Sequence, residues 1–170
     1  MADSDLPSTA RIAAHPGKLV PGIPGFVFSV PQGWVIDEAP NAMCVVRLPQ
    51  PVDGFWINAM INHDKVSREL DFEALAKTTW ARLKRTSPSA ELNGERLMRL
   101  SGVPGYVRGV NLTAPDGRAL AQVHAMVFAP TDGPGKVVDL FQIIGTCLRD
   151  DSVNASMEAF TEIIRTFRFV

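Results

Sequence analysis

The chain has 170 residues and a formal net charge of −1, long enough for one domain with a full core and without the basic field that nucleic acid or an anionic membrane requires. Its hydrophobic share of 46% and charged share of 21% are those of an ordinary globular protein. No apolar run approaches the roughly 18 residues of a membrane-spanning helix, so no transmembrane segment is expected.

Residues 1–24 hold Pro7, Pro16, Pro21 and Pro24 among small residues. An extended arm is expected there, ahead of a single domain over 25–170. The start shows neither a basic-then-apolar signal pattern nor a cysteine for lipid attachment. With Met1 as the natural start, a cytoplasmic protein is expected. Gly25–Val30 reads as a short strand, ended by Pro31-Gln32-Gly33, with Trp34 as a plug at the sheet end. Ala42–Leu48 reads as a second strand, stopped by Pro49 and Pro51. Phe55–His63 reads as a third. Phe55, Ile57, Ala59 and Ile61 alternate with Trp56, Asn58, Met60 and Asn62, which points the first set at the core.

A helix opens at Asp71, its N-cap, with Leu70 as a staple to Leu75. Phe72, Leu75, Ala76, Thr79 and Leu83 recur at helical spacing beside Trp80, and Pro88 stops the helix. The basic cluster Arg82, Lys84 and Arg85 is read as a solvated helix end that complements the dipole. A polar link at Asn93-Gly94 leads to a strand over Arg96–Leu100.

Val103–Pro130 reads as two strands joined at Pro115-Asp116-Gly117, taken as the centre of an antiparallel sheet. With Asp116-Gly117 as a two-residue loop, Leu112 faces Ala121, Val110 faces Val123, Arg108 faces Ala125 and Tyr106 faces Val127. That face is apolar apart from Arg108. The other face then carries a polar band of Asn111, Gln122 and His124, with Gly109 opposite His124. Thr131–Lys136 is a turn. Val137–Cys147 is a long apolar strand expected to be covered on both faces. Ser152 is expected to cap a second helix carrying Val153, Met157, Phe160, Ile163, Ile164 and Phe167 on one stripe. The fold class is α+β: an antiparallel sheet of about six to seven strands flanked by two main helices.

Several of these segments together resemble a known family. They are F-x-F-S-V-P-x-G-W at Phe26–Trp34, F-x-I-N-A-M-I at Phe55–Ile61, G-V-P-G-Y at Gly102–Tyr106, and a closing I-I-R-T-F-R-F at Ile163–Phe169. Over roughly residues 23–170 the chain resembles the actinobacterial LpqN/LpqT family, within the wider Mog1/PsbP-like α/β/α sandwich fold. The resemblance implies a non-catalytic accessory protein. Members of that family are mostly exported lipoproteins associated with cell-envelope lipid transport and metabolism. Other Mog1/PsbP-like relatives bind small GTPases or photosystem subunits. The family has no catalytic motif, so no functional residue is carried over.

Read from the residues alone, enzyme chemistry finds little support. His15, His63 and His124, with Cys44 and Cys147, show no local metal-ligand spacing, so neither metal nor cofactor is expected. The two cysteines are read as buried free thiols, with a disulfide between their strands as the minority reading. No serine lies in G-x-S-x-G. Asp150-Asp151 precedes a helix, where negative charge is favourable anyway. The glycine-rich pieces Pro21–Gly25 and Asp132–Lys136 read as turns. No catalytic residue is expected.

The candidate ligand-binding set is the polar band extended across the sheet: Asn58, Asn62, Asn111, Gln122, His124 and Gln142, with Trp56 at its edge. Amides beside an aromatic suit a polar ligand such as a sugar headgroup. Two readings follow. One is a protein that binds a lipid or glycolipid. The other is a protein-interaction module of the Mog1-like type.

Overall fold

The structure, a computed structural model, describes residues 13–17, 21–100, 102–131 and 134–170. Most of the arm expected over residues 1–24 lies outside the described residues, as do Asp132 and Gly133 of the Thr131–Lys136 turn.

The strands are β1 (Phe26–Val27), β2 (Val35–Asp37), β3 (Cys44–Arg47), β4 (Asn58–Ser67), β5 (Glu91–Leu100), β6 (Val103–Thr113), β7 (Ala119–Phe128), β8 (Val137–Leu148) and β9 (Arg168–Phe169). The helices are α1 (Phe72–Thr86) and α2 (Val153–Thr166). A seven-stranded antiparallel sheet runs β2-β3-β4-β8-β7-β6-β5, and β1 pairs β9 in a separate two-stranded ribbon. The central strand is therefore β8, not the β6–β7 hairpin. The near-continuous apolar run of β8 needs cover on both faces, which the middle of the sheet provides.

One face packs on α2. Ile57, Ala59 and Ile61 alternate onto it as expected and join Phe141, Ile143 and Cys147, under Phe160, Ile163 and Ile164 of the helix. Small residues let α2 lie close: Ala121 and Ala125 are part of that cluster, and Gly145 lies directly under the Phe160 ring. Trp34 meets Phe160 edge-on at 5.8 Å, in keeping with its expected role as a plug. The ribbon closes one end with Phe26, Phe141, Phe167 and Phe169 in mutual ring contact.

The other face carries α1. The Asp71 carboxylate accepts from Ala74 N at 2.8 Å, so the expected cap is present. Leu75 packs on Tyr106, Met126 and Leu140, while Trp80 and Leu83 pack on Val110 and Leu112. Lys84 closes the helix end on the carbonyls of Pro88 and Ala90, at 2.7 and 2.9 Å.

Three local expectations are corrected. Ser152 stands at the start of α2 without a side-chain capping bond. Its amide and hydroxyl instead donate to the Asp150 carboxylate, at 2.8 and 2.6 Å. The link at Asn93-Gly94 is not a loop but a bulge within β5, with Gly94 at φ +105. The third correction is the hairpin register. Gly117 N donates to the Ala114 carbonyl at 2.9 Å, and Ala114 N donates to Arg118 O at 2.8 Å. The loop is thus three residues, Pro115–Gly117, with Gly117 at φ +85, a turn followed by a left-handed glycine. This moves β7 by one residue against the expected pairing. Leu112 faces Leu120, Val110 faces Gln122, Arg108 faces His124 and Tyr106 faces Met126, while Gly109 faces Val123.

Candidate functional site

The one-residue shift rebuilds the chemistry of the α1 face. Arg108 now shares it with His124 and Gln122, and β5 contributes Glu95 opposite Arg108 and Leu97 opposite Tyr106. The bulge decides what β5 offers. Leu92 pairs Val110 and Glu95 pairs Arg108, three residues matched to two. The extra residue brings Leu92, Glu95 and Leu97 to one face, where strict alternation would have turned Leu92 away.

A chain of hydrogen bonds crosses this face under α1. The Tyr106 hydroxyl donates to the Glu95 carboxylate. Arg108 donates through Nε and a terminal nitrogen to His124 Nδ1, at 3.3 and 3.2 Å, and through its other terminal nitrogen to the Ala76 carbonyl of α1 at 3.2 Å. His124 Nε2 donates to Gln122 Oε1 at 2.9 Å, and Gln122 Nε2 donates to Thr146 Oγ1 at 3.1 Å. Two donors on Nδ1 fix the tautomer: that nitrogen accepts, and the proton sits on Nε2.

The charges follow from burial. Burial, reinforced by the Arg108 charge, lowers the His124 pKa to about 3, so the ring is neutral. Burial also lowers the Arg108 pKa, against the Tyr106 hydroxyl and the Glu95 carboxylate, which favour the charged form. Burial and the Glu95 hydrogen bond push the Tyr106 hydroxyl up to about 12.

Beside this network lies a groove of about 480 Å³ between α1 and the edge strand β5. Phe72, Ala76 and Trp80 form its helical wall, and Leu92 and Leu97 its strand wall. Tyr106 and Arg108 lie on the floor, and Glu73, Lys77, Glu95 and Arg96 contribute charge. Leu97 is 69% exposed and Leu92 44%, so the strand wall is an apolar surface open to solvent. The volume and lining suit a small amphipathic molecule.

The residues expected to bind ligand are dispersed. Gln122 and His124 are committed to the network and do not line the groove. Asn58, Asn62 and Gln142 share the same face but sit on β4 and β8: Asn58 pairs Thr146, and Asn62 pairs Gln142, which pairs Met126 in turn. Asn58 donates to the Trp56 carbonyl at 2.8 Å. Asn62 Oδ1 is buried with no partner among the described residues. Trp56 stacks under the Arg47 guanidinium at 4.4 Å. Asn111 is separated from the band: it pairs Ala121, whose side chain belongs to the α2 core. The groove residues went unrecognised in sequence because the expected register set Arg108 against Ala125. The available signal was Arg108 itself, a charge on an otherwise apolar face.

A second polar cluster lies at the ribbon end of the sheet. Asp139 Oδ1 accepts from His63 Nε2 at 2.7 Å and pairs Lys65 Nζ at 3.1 Å. Burial raises the Asp139 pKa, but the hydrogen bonds and charges of His63 and Lys65 outweigh it and leave it below the usual range. His63 also packs on the Phe141 ring at 5.0 Å. Among the described residues, no group of three or more His, Cys, Asp or Glu side chains is placed to hold a metal ion. Both cysteines are free thiols, and they lie in β3 and β8, which are not neighbours. No helix among the described residues is long and apolar enough to cross a membrane.

The sequence matches no protein-family model and no curated protein. Solved structures do match. LpqN of Mycobacterium tuberculosis, described as involved in cell envelope biogenesis, superposes with a TM-score of 0.72 at 19% identity, over 88% of this chain and 86% of that one. The cyanobacterial PsbP of Synechocystis gives 0.56 at 14% identity, over 86% and 87%. The Ran-binding protein Mog1p of Saccharomyces cerevisiae gives 0.54 at 12% identity, over 84% and 89%. The fold is Mog1/PsbP-like, an α+β sandwich, as the sequence motifs implied.

Proposed function

We propose that this chain is a non-catalytic binding protein of the LpqN-like kind, holding the apolar body of an amphipathic ligand, a lipid or glycolipid, in the groove between α1 and β5. The observation that carries this reading is the groove itself: solvent-open leucines and an aromatic wall set beside a buried, hydrogen-bonded polar floor. The likeness to a protein described in terms of cell envelope biogenesis supports the ligand class. The binding reading also agrees with the state of His124. A general base works best with a pKa near the operating pH, whereas this ring is held far below it with both nitrogens engaged. Asn58, Asn62 and Gln142, with the unpartnered Asn62 Oδ1, are proposed as secondary polar contacts on the same face.

Native mass spectrometry on the full chain, purified without detergent, tests this. A bound mass that is lost on denaturation, and absent from Leu97→Asp, is expected. A clean unliganded mass, together with no change in tryptophan fluorescence on adding a lysophospholipid, would overturn it.

A second reading, docking of a protein, is favoured by the opposite end of the sheet. Val35, Ile36, Met43 and Trp56 are exposed around the edge strand β2. Substituting Ile36→Lys separates the two: lipid capture persists under the first reading, and partner recovery fails under the second.

A further inference from the structure

We propose that the α1–β5 groove selects an amphiphile with an anionic head, a long-chain carboxylate, whose head meets the Arg108 guanidinium while its chain lies along Phe72, Trp80, Leu92 and Leu97. This rests on the groove being the binding site.

A guanidinium presents five N–H groups. Arg108 is only 2% exposed; its hydrogen bonds reach His124 Nδ1 and the Ala76 carbonyl, and its guanidinium lies 5.5 Å from the centre of the Trp80 ring. Two of its N–H groups crowd onto the single lone pair of Nδ1. The Tyr106 hydroxyl stands close enough to favour the charge, which still leaves more donors than acceptors. Among the described residues Arg108 makes no ion pair within 4.0 Å. The Glu95 carboxylate accepts from the Tyr106 hydroxyl and favours the Arg108 charge without pairing with it directly. Every guanidinium nitrogen has a hydrogen-bond partner, but all of them are neutral, and a carboxylate can take two parallel N–H bonds from a guanidinium.

The groove as a whole agrees. Its lining has three cations, Lys77, Arg96 and Arg108, against two carboxylates, Glu73 and Glu95, an excess of one positive charge. One anionic head restores the balance. The apolar wall begins next to it, as an amphiphile requires.

Laurate, 1-dodecanol and dodecyltrimethylammonium share one chain and differ in head charge. Tryptophan-fluorescence titration and native mass spectrometry of the full chain are expected to rank them in that order. A charge-assisted hydrogen bond contributes about 1.5 kcal/mol or more, so laurate should bind at least about tenfold tighter than dodecanol. Leu97→Asp should weaken the binding of all three. Arg108→Gln, with folding checked by circular dichroism, should bring laurate down to dodecanol. Equal binding of laurate and dodecanol by the wild type would overturn the anionic selection and leave the groove reading standing. Binding of none of the three would overturn the groove reading itself. Should Arg108→Gln not fold, the wild-type order alone decides, and a cation bound as tightly as laurate overturns the proposal.

Discussion

Arg108 and His124 face each other across β6 and β7, and two guanidinium nitrogens converge on one imidazole nitrogen, at 3.2 and 3.3 Å. An arginine cannot give up its proton near neutral pH, so the imidazole has to remain the acceptor. The pair is therefore a cation held by a neutral ring. Protonating that ring would place two positive charges in contact beneath α1 and turn an acceptor into a donor.

This predicts a pH dependence. His124 has its folded-state pKa lowered to about 3, against about 6.5 in an unfolded chain. Between those values the unfolded state binds a proton that the folded state refuses. Stability is therefore full above about pH 6.5 and falls as pH drops toward 3. Linkage gives about 2 kcal/mol lost between pH 7.5 and pH 5 from this group. Chemical denaturation of the wild type and His124→Gln checks it: the variant should lose less stability over that interval. Equal slopes would show that the ring is not held neutral.

Gly145 and Phe160 form a second dependent pair. A Cβ on Gly145 would lie 2.5 Å from the Phe160 ring. Gly145→Ala is expected to destabilise by about 1–3 kcal/mol through overpacking. Phe160 is fully buried, and Phe160→Ala should cost about 3–5 kcal/mol in the wild type. In the Gly145→Ala background the same truncation should cost less, because it relieves the clash. Additive losses in the double-mutant cycle would show that helix and strand do not meet in this way.

The three-residue loop makes its own prediction. Gly117 has φ +85, where a β-branched residue is strained. Gly117→Val is expected to lose about 1 kcal/mol or more. Because the loop sets the register of β7, the melting transition should shift down while remaining a single step. An unchanged melting temperature would contradict the left-handed glycine.

Asp71→Ala removes the acceptor for Ala74 N. It should destabilise by about 1 kcal/mol. Asp71→Ser, which can still cap, should recover most of that loss in the same denaturation experiment.

Much of the fold was legible in the sequence because its signals are local. The alternation Ile57-Ala59-Ile61, the Asp71 cap, the apolar run of β8 and the stripe Phe160-Ile163-Ile164 each depend on residues a few positions apart. The strands β2 and β9 were not legible. They have three and two residues, too few for a period to show, and exist because β3 and β1 offer them a partner.

By itself the sequence determined the α+β class, the α2 core and the place of both helices, since apolar spacing and caps dictate which surface each segment must bury. It also placed Arg108 on an otherwise apolar face without saying what that arginine meets. Only the tertiary structure decided the partner. Side chains alternate with a period of two residues, so one residue more in the Pro115–Gly117 loop joined Arg108 to His124 and parted Asn111 from Gln122. The bulge at Asn93-Gly94 did the same for Leu92. The groove was decided last, because it exists only where α1 closes over β5, and no local pattern in either segment encodes that meeting.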